Sequence, residues 1–181
     1  MIAVHIISKD DVNTFRYIYE DIPGISIYQN IEKDMLMEIL ERNPRKDIIF
    51  IGYGDRNGLF DAKRENYVVD KEVVPLLLDR KVIGIWCYAS EFADINGLHG
   101  FFTSNFISNL DEYNQTSSTN TLGDITEEDI INLNYIFSKR VEGLIEKRVD
   151  LSLWVNELQS EVTAKSSLIE KHNYETLSYY E

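Results

Sequence analysis

Two short, unbroken apolar runs constrain the fold more than any other feature of the sequence. The first is Asp47-Ile48-Ile49-Phe50-Ile51-Gly52-Tyr53-Gly54, continuing into Asp55-Arg56-Asn57-Gly58-Leu59-Phe60. The second is Lys81-Val82-Ile83-Gly84-Ile85-Trp86-Cys87-Tyr88-Ala89-Ser90. Each rises from a charged residue through β-branched and aromatic residues and stops at Gly, Cys or Ser. Runs this short, with no polar alternation, suit strands buried on both faces of a parallel sheet. In such sheets ligands gather beyond the carboxyl ends of the strands. Tyr53-Gly54 and Cys87 both fall there, so a site is expected between them.

The flanking segments complete an α/β pattern. Residues 2–8 read as a first strand, 11–20 as a short helix with Val12, Phe15, Ile18 and Tyr19 on one face, and 25–28 as a second strand after the Pro23-Gly24 break. Asn30 reads as the cap of a helix over 31–42 carrying Ile31, Met35, Ile39 and Leu40. Then come the 47–53 strand, a short strand at 67–69 and a helix from Asp70 to about Arg80. The 81–87 strand, a helical turn at 90–95 and an edge strand or loop over 97–102 follow. Alternating elements with short connections predict a mostly parallel sheet with helices on both faces and right-handed crossovers.

Residues 1–113 form this core, and the polar stretch 114–124 reads as a flexible loop. Residues 125–181 read as a helical C-terminal segment packed on the core as part of one domain. It opens with a capping-box pattern at Thr126 and Asp129. One apolar stripe follows through Ile130, Leu133, Phe137, Val141 and Leu144, and a second from Asp150 through Leu151, Trp154, Leu158 and Val162. Beyond that the periodicity weakens, and fraying is expected.

Composition excludes several classes. With 18 Lys and Arg against 31 Asp and Glu, the net charge of −13 argues against nucleic acid and anionic membranes. It is compatible with a peptide or protein partner, including a basic one. No apolar stretch approaches the roughly 20 residues of a membrane span. Met1 to Ser8 lacks a basic n-region and a small-residue cleavage site, so it reads as a strand and the expected location is the cytoplasm. One cysteine excludes an internal disulfide and a cysteine-based zinc cage. No metal-ligand cluster, phosphate-binding glycine loop or serine elbow is present in the sequence, and no cofactor is expected.

Cys87, at a strand end followed by Tyr88, Ala89 and Ser90, is the candidate nucleophile. Backbone N–H groups there would lower its pKa and supply an oxyanion hole. The alternative is a buried structural cysteine. Tyr53, between Gly52 and Gly54, occupies the position where a general base is expected. Its ordinary pKa near 10 makes it a poor base at neutral pH.

The stretches Ile51-Gly52-Tyr53-Gly54 with Gly58-Leu59-Phe60, and Gly84-Ile85-Trp86-Cys87-Tyr88-Ala89-Ser90, resemble the caspase-like cysteine peptidase clan of caspases, gingipain-like and CHAT-type domains. The resemblance covers roughly residues 47–110. It implies a caspase-like sheet, with Cys87 at the position of the clan's nucleophile, Gly54 at that of the Gly of His-Gly, and Tyr53 where the clan has its catalytic histidine. The implied reading is a degenerate relative that keeps the Cys87 cleft and binds a peptide or protein. The alternatives are an active cysteine peptidase-like hydrolase with a non-standard base, and a structural α/β protein. His99, between Gly97 and Gly100, is the weak alternative base. His5 reads as a packed strand histidine, and His172 lies in the C-terminal helical part. Asp55, Asp61 and Asp70 near the mouth suggest an acidic recognition pocket, with Gly54, Asp55 and Ser90 as binding positions. As simpler roles, Asp55 and Asp61 suit turns and Asp70 a helix cap.

Overall fold

Runs of β-branched residues pair into strands, and the computed structural model places them in one large sheet. The structure describes residues 1–8, 13–117 and 125–181. In chain order the strands are β1 (Ile2–His5), β2 (Ser26–Gln29), β3 (Ile48–Ile51), β4 (Gly54–Asp55), β5 (Gly58–Phe60), β6 (Tyr67–Val69), β7 (Val82–Ile85), β8 (Gly100–Thr103) and β9 (Leu177–Tyr180). The α-helices are α1 (Lys33–Arg42), α2 (Ala89–Asn96), α3 (Leu110–Ser117), α4 (Glu127–Glu146), α5 (Leu151–Ser160) and α6 (Leu168–Glu175).

Six strands form the main sheet in the order β2-β1-β3-β7-β8-β9. The first five are parallel, with Ile2, Ile48, Val82 and Gly100 level across β1, β3, β7 and β8. β9 closes the edge antiparallel, Thr103 facing Leu177. A three-stranded antiparallel sheet, β4-β5-β6, follows β3. The architecture is α/β, mostly parallel, with a helical C-terminal segment, and is consistent with a caspase-like scaffold.

Alternate strand residues feed two cores. Ile2, Val4, Ile48, Phe50 and Phe102 pack with Leu36 and Leu40 of α1 and Phe92 of α2. Ala3, Ile49, Ile51, Ile83 and Phe101 pack with Phe137 of α4, Trp154 of α5 and Tyr174 of α6. Burial on both faces explains the lack of alternation, each large apolar side chain contributing about 1.5–3 kcal/mol.

Several sequence expectations are corrected. The 2–8 and 47–53 strands are shorter, Ile2–His5 and Ile48–Ile51. The expected 11–20 helix is a 3-10 helix over Thr14–Ile18, because Asn13 is left-handed at φ 46° and does not continue a helix; residues 11–12 lie outside the described residues. The 70–80 helix is a 3-10 turn at Val74–Leu76, with successive i to i−3 bonds from Val73 to Arg80. Pro75 lacks the N–H an α-helix would use there. Asp70 accepts from Glu72 N and pairs with Lys33, and so does not cap a helix.

Asn30 accepts from Ile7 N and does not cap α1, whose N-cap is Glu32. Arg80 finishes α1 from outside, donating to the carbonyls of Leu40, Asn43 and Lys46. Residues 114–117, expected as loop, belong to α3, and 118–124 lie outside the described residues. The segment expected to fray forms α6 and β9. The Thr126–Asp129 capping box is present. Among the described residues, no helix is long and apolar enough to cross a membrane.

At the start of α5, Asp150 accepts from Ser152 N and Oγ and pairs with Lys81 at 3.3 Å. The Ser152 bonds first, then Lys81, hold its carboxyl down at about 2, against an ordinary 3.8. A depressed carboxyl contributes stability above its unfolded value, and that stability is lost as pH falls through the folded value. In acid titrations of unfolding, Asp150→Asn is therefore expected to flatten the loss of stability between about pH 4 and pH 2. Superimposable curves would remove this role.

Candidate functional site

β3 and β7 are neighbours, with Ile51 opposite Ile85, and the chain beyond each carboxyl end turns into a shared cleft. The cleft has a volume of about 690 Å³ and is lined by Tyr53, Gly54, Arg64, Cys87, Tyr88, Asn105, Asn109, Asp111, Glu112 and Glu127, among others. Tyr53, Gly54 and Cys87 are thus brought together, at the sheet end where an α/β site is expected.

Cys87 is held by a strand-to-helix turn. β7 stops at Ile85, so Cys87 follows the strand and does not end it. Trp86 is buried and donates from Nε1 to Asp55 O. Gly54 lies against its ring; a Cβ there would sit 2.1 Å from Trp86 Cδ1. Tyr88 is left-handed at φ 66° and donates its N–H to Ser104 O, and α2 begins at Ala89.

The half-buried Cys87 thiol lies 3.2 Å from Phe106 O and 3.0 Å from Glu112 Oε1, and its one S–H serves these two acceptors. Burial pushes its pKa well up, and the Glu112 charge and hydrogen bond push it the same way, as does Glu91. The expectation of N–H groups that lower it is corrected: the carboxylates of Glu112 and Glu91 lie near the sulfur, and with burial they favour the protonated form.

The opposite wall is built by a turn wound on Asp61. Its carboxylate accepts from Lys63 N, Glu65 N and the Asn66 amide, and Arg64 adopts φ 60°. The Arg64 guanidinium consequently stacks 3.6 Å from the Tyr53 ring centroid. Asn109 Nδ2 donates to Tyr53 Oη at 2.7 Å. Tyr53 is therefore engaged on its face and at its hydroxyl.

The remaining candidates lie elsewhere. Asp55 accepts from Asn57 N and from Tyr67 Oη, shaping the hairpin, and it does not line the cleft. Ser90 is buried and donates to Glu91, whose other oxygen accepts from Ser104 Oγ. His99 is corrected as a base for Cys87. It is exposed immediately before β8, beside Lys81, Asp150 and Glu181, at the amino end of the parallel strands. The four extended residues of β7, about 13 Å, separate that level from the turn that carries Cys87. His5 is buried with Nδ1 2.8 Å from Tyr19 Oη, and His172 Nε2 lies 2.8 Å from Asn105 O. None of the three histidines lines the cleft.

The segment 104–112 supplies what sequence reasoning missed. Asn173 of α6 clasps Ile107, accepting from its N–H and donating to its carbonyl. Asn134 of α4 donates to Ser108 O. Asn109 Oδ1 then accepts from Glu112 N, while Glu112 Oε2 accepts from Ser108 N and Oγ. The Asn-x-x-Glu spacing of 109 and 112 is a helix-start signature that could have exposed α3 in the sequence. Arg64 carries no such signal, since only the left-handed turn aims it at Tyr53. Among the described residues, no group of three or more His, Cys, Asp or Glu is arranged to hold a metal ion.

No protein-family model matches this sequence, and no curated protein is similar to it at a significant level.

Proposed function

We propose that this chain is a caspase-like α/β protein whose cleft binds a peptide or protein segment bearing a basic side chain, without cleaving it. The observation that carries the reading is the environment of Cys87: the side chain it bonds to is the Glu112 carboxylate, not an imidazole. A thiol held as a donor beside a carboxylate is a poor nucleophile at neutral pH. At the position of the clan's histidine, Tyr53 is covered by Arg64 and bonded to Asn109. Asp111, Glu112 and Glu127 on the walls give the cleft the charge that recognises a cation, within a molecule of net charge −13.

The test is calorimetric titration of the protein with blocked hexapeptides carrying a central arginine or a central glutamate, each recovered afterwards for mass analysis. Saturable binding of the arginine peptide is expected, weakened about tenfold by Asp111→Lys with Glu127→Lys, with the peptide intact. Equal failure to bind either peptide would overturn the proposal. A second reading, a cysteine peptidase-like hydrolase, is favoured by Cys87 and Tyr53 sharing one cleft. Its signature is peptide cleavage that disappears in Cys87→Ser.

A further inference from the structure

We propose that the β2 edge of the main sheet is a contact between two copies of this chain, which join β2 to β2 antiparallel about a two-fold axis at Tyr28. The contact is separate from the cleft, which lies beyond the carboxyl ends of β3 and β7.

Strand phase decides which backbone groups are open. β2 is the outermost strand of the sheet and pairs only with β1. Ser26 and Asn30 donate inward, to Met1 O and His5 O, and Tyr28 lies opposite Val4 in the same parallel register. Successive residues turn their N–H and C=O to alternate sides of a strand. Ile27 and Gln29 therefore point theirs out of the edge, and among the described residues nothing bonds to them.

Sheet edges that stay single are guarded by charge, proline or a bulge. The β2 sequence Ser26-Ile27-Tyr28-Gln29 has no charge and no proline, and its register with β1 is unbroken. Ile27, an ordinary core residue elsewhere in this sheet, is 44% exposed. Open groups of this kind take an extended strand. In a molecule of net charge −13, an uncharged strand is where a second copy meets the first without setting like charges directly opposite one another.

The strand is also complementary to itself. With the two Tyr28 residues opposite each other, Ile27 of each copy faces Gln29 of the other and exchanges both N–H···O=C bonds with it. Every outward group of β2 is then satisfied. Tyr28 makes the close pair on the axis, with Cα atoms about 4.5 Å apart. Its ring already packs on the core beneath α1, and tyrosine is a residue type that protein contacts favour. A strand of four residues gives a small contact, so the dimer is a weak, reversible one.

The experiment is sedimentation equilibrium at about 0.3 M salt, which screens the charge of the two copies. The mass is expected to rise from 21.1 kDa toward twice that value between about 10 µM and about 1 mM protein. Ile27→Lys reduces the net negative charge, yet it is expected to weaken association about tenfold or more by charging the edge. Ile27→Pro removes an outward N–H that β1 does not use and is expected to abolish association with the native circular dichroism kept. A disulfide trap reads the register: in a Cys87→Ser background, Tyr28→Cys is expected to cross-link about tenfold faster than Gln29→Cys, because only residue 28 meets itself within disulfide reach. A mass of 21.1 kDa throughout overturns the proposal and leaves the edge to an extended peptide. Growth beyond a dimer also overturns it, since joining β2 to β9 head to tail does not close. So does a dimer that either Ile27 variant leaves intact, or a trap equally fast at both positions.

Discussion

Gly100→Ala is expected to destabilise the protein by about 4 kcal/mol or more, the upper end for single substitutions. Gly100 opens β8 at φ 142°, a backbone conformation that residues with a Cβ rarely adopt. An added Cβ would sit 1.9 Å from Val82 O, with Val82 C and N at 2.8 Å. Those are backbone atoms of the central strand β7, so no flexible side chain can swing away. Relief requires parting β7 from β8, in a domain whose whole stability is of the order of 5–15 kcal/mol. Urea or thermal unfolding checks this; a midpoint within about 2 °C of wild type would contradict it.

Asn173→Ala is expected to cost about 2–5 kcal/mol. Its side chain satisfies both backbone polar groups of buried Ile107, at 2.8 and 2.9 Å. Alanine would leave a buried N–H and a buried C=O without these partners, each costing about 1–3 kcal/mol. The damage should also reach the cleft, because Ile107 roots the segment that carries Asn109 and Glu112. Denaturant midpoints measure the first effect and Cys87 alkylation the second. A variant that loses stability but keeps the wild-type alkylation rate would uncouple the segment's root from its tip.

The sheet was legible because its strands are buried on both sides: Ile48–Ile51 and Val82–Ile85 leave no polar alternation to misread. Helices with strong stripes, such as α4 with Ile130, Phe137 and Val141, were legible for the same reason. Errors came where local chemistry overrides periodicity. Val73, Leu76 and Leu77 are spaced for a helix, yet Pro75 limits them to a 3-10 turn. Asn30 looks like a helix starter, but it is left-handed and spends its side chain on Ile7, and Asn13, inside the expected 11–20 helix, is left-handed too. At the site, the strand ends pointed to Tyr53 and Cys87, whereas the groups that decide their chemistry, Arg64, Asn109 and Glu112, come from later segments. Pairings of that kind span many residues and leave no periodic mark. His99 failed for a geometric reason: a strand that returns parallel puts its start at the far end of the sheet from the turn it follows.

The pairing of β8 with β9 has a kinetic consequence. Thr103 and Leu177 are bridged only after everything between them, including α3 to α6, has been traversed. Closing so long a loop is entropically slow, so this antiparallel edge should form late in folding, after the local crossovers of β1, β3 and β7. Ser104 bonds to Thr176, and Asn173 clasps Ile107, at that same seam. Folding intermediates should therefore carry a largely formed parallel sheet with an unassembled cleft, and the cysteine should be briefly accessible in newly folding molecules even where the mature protein conceals it.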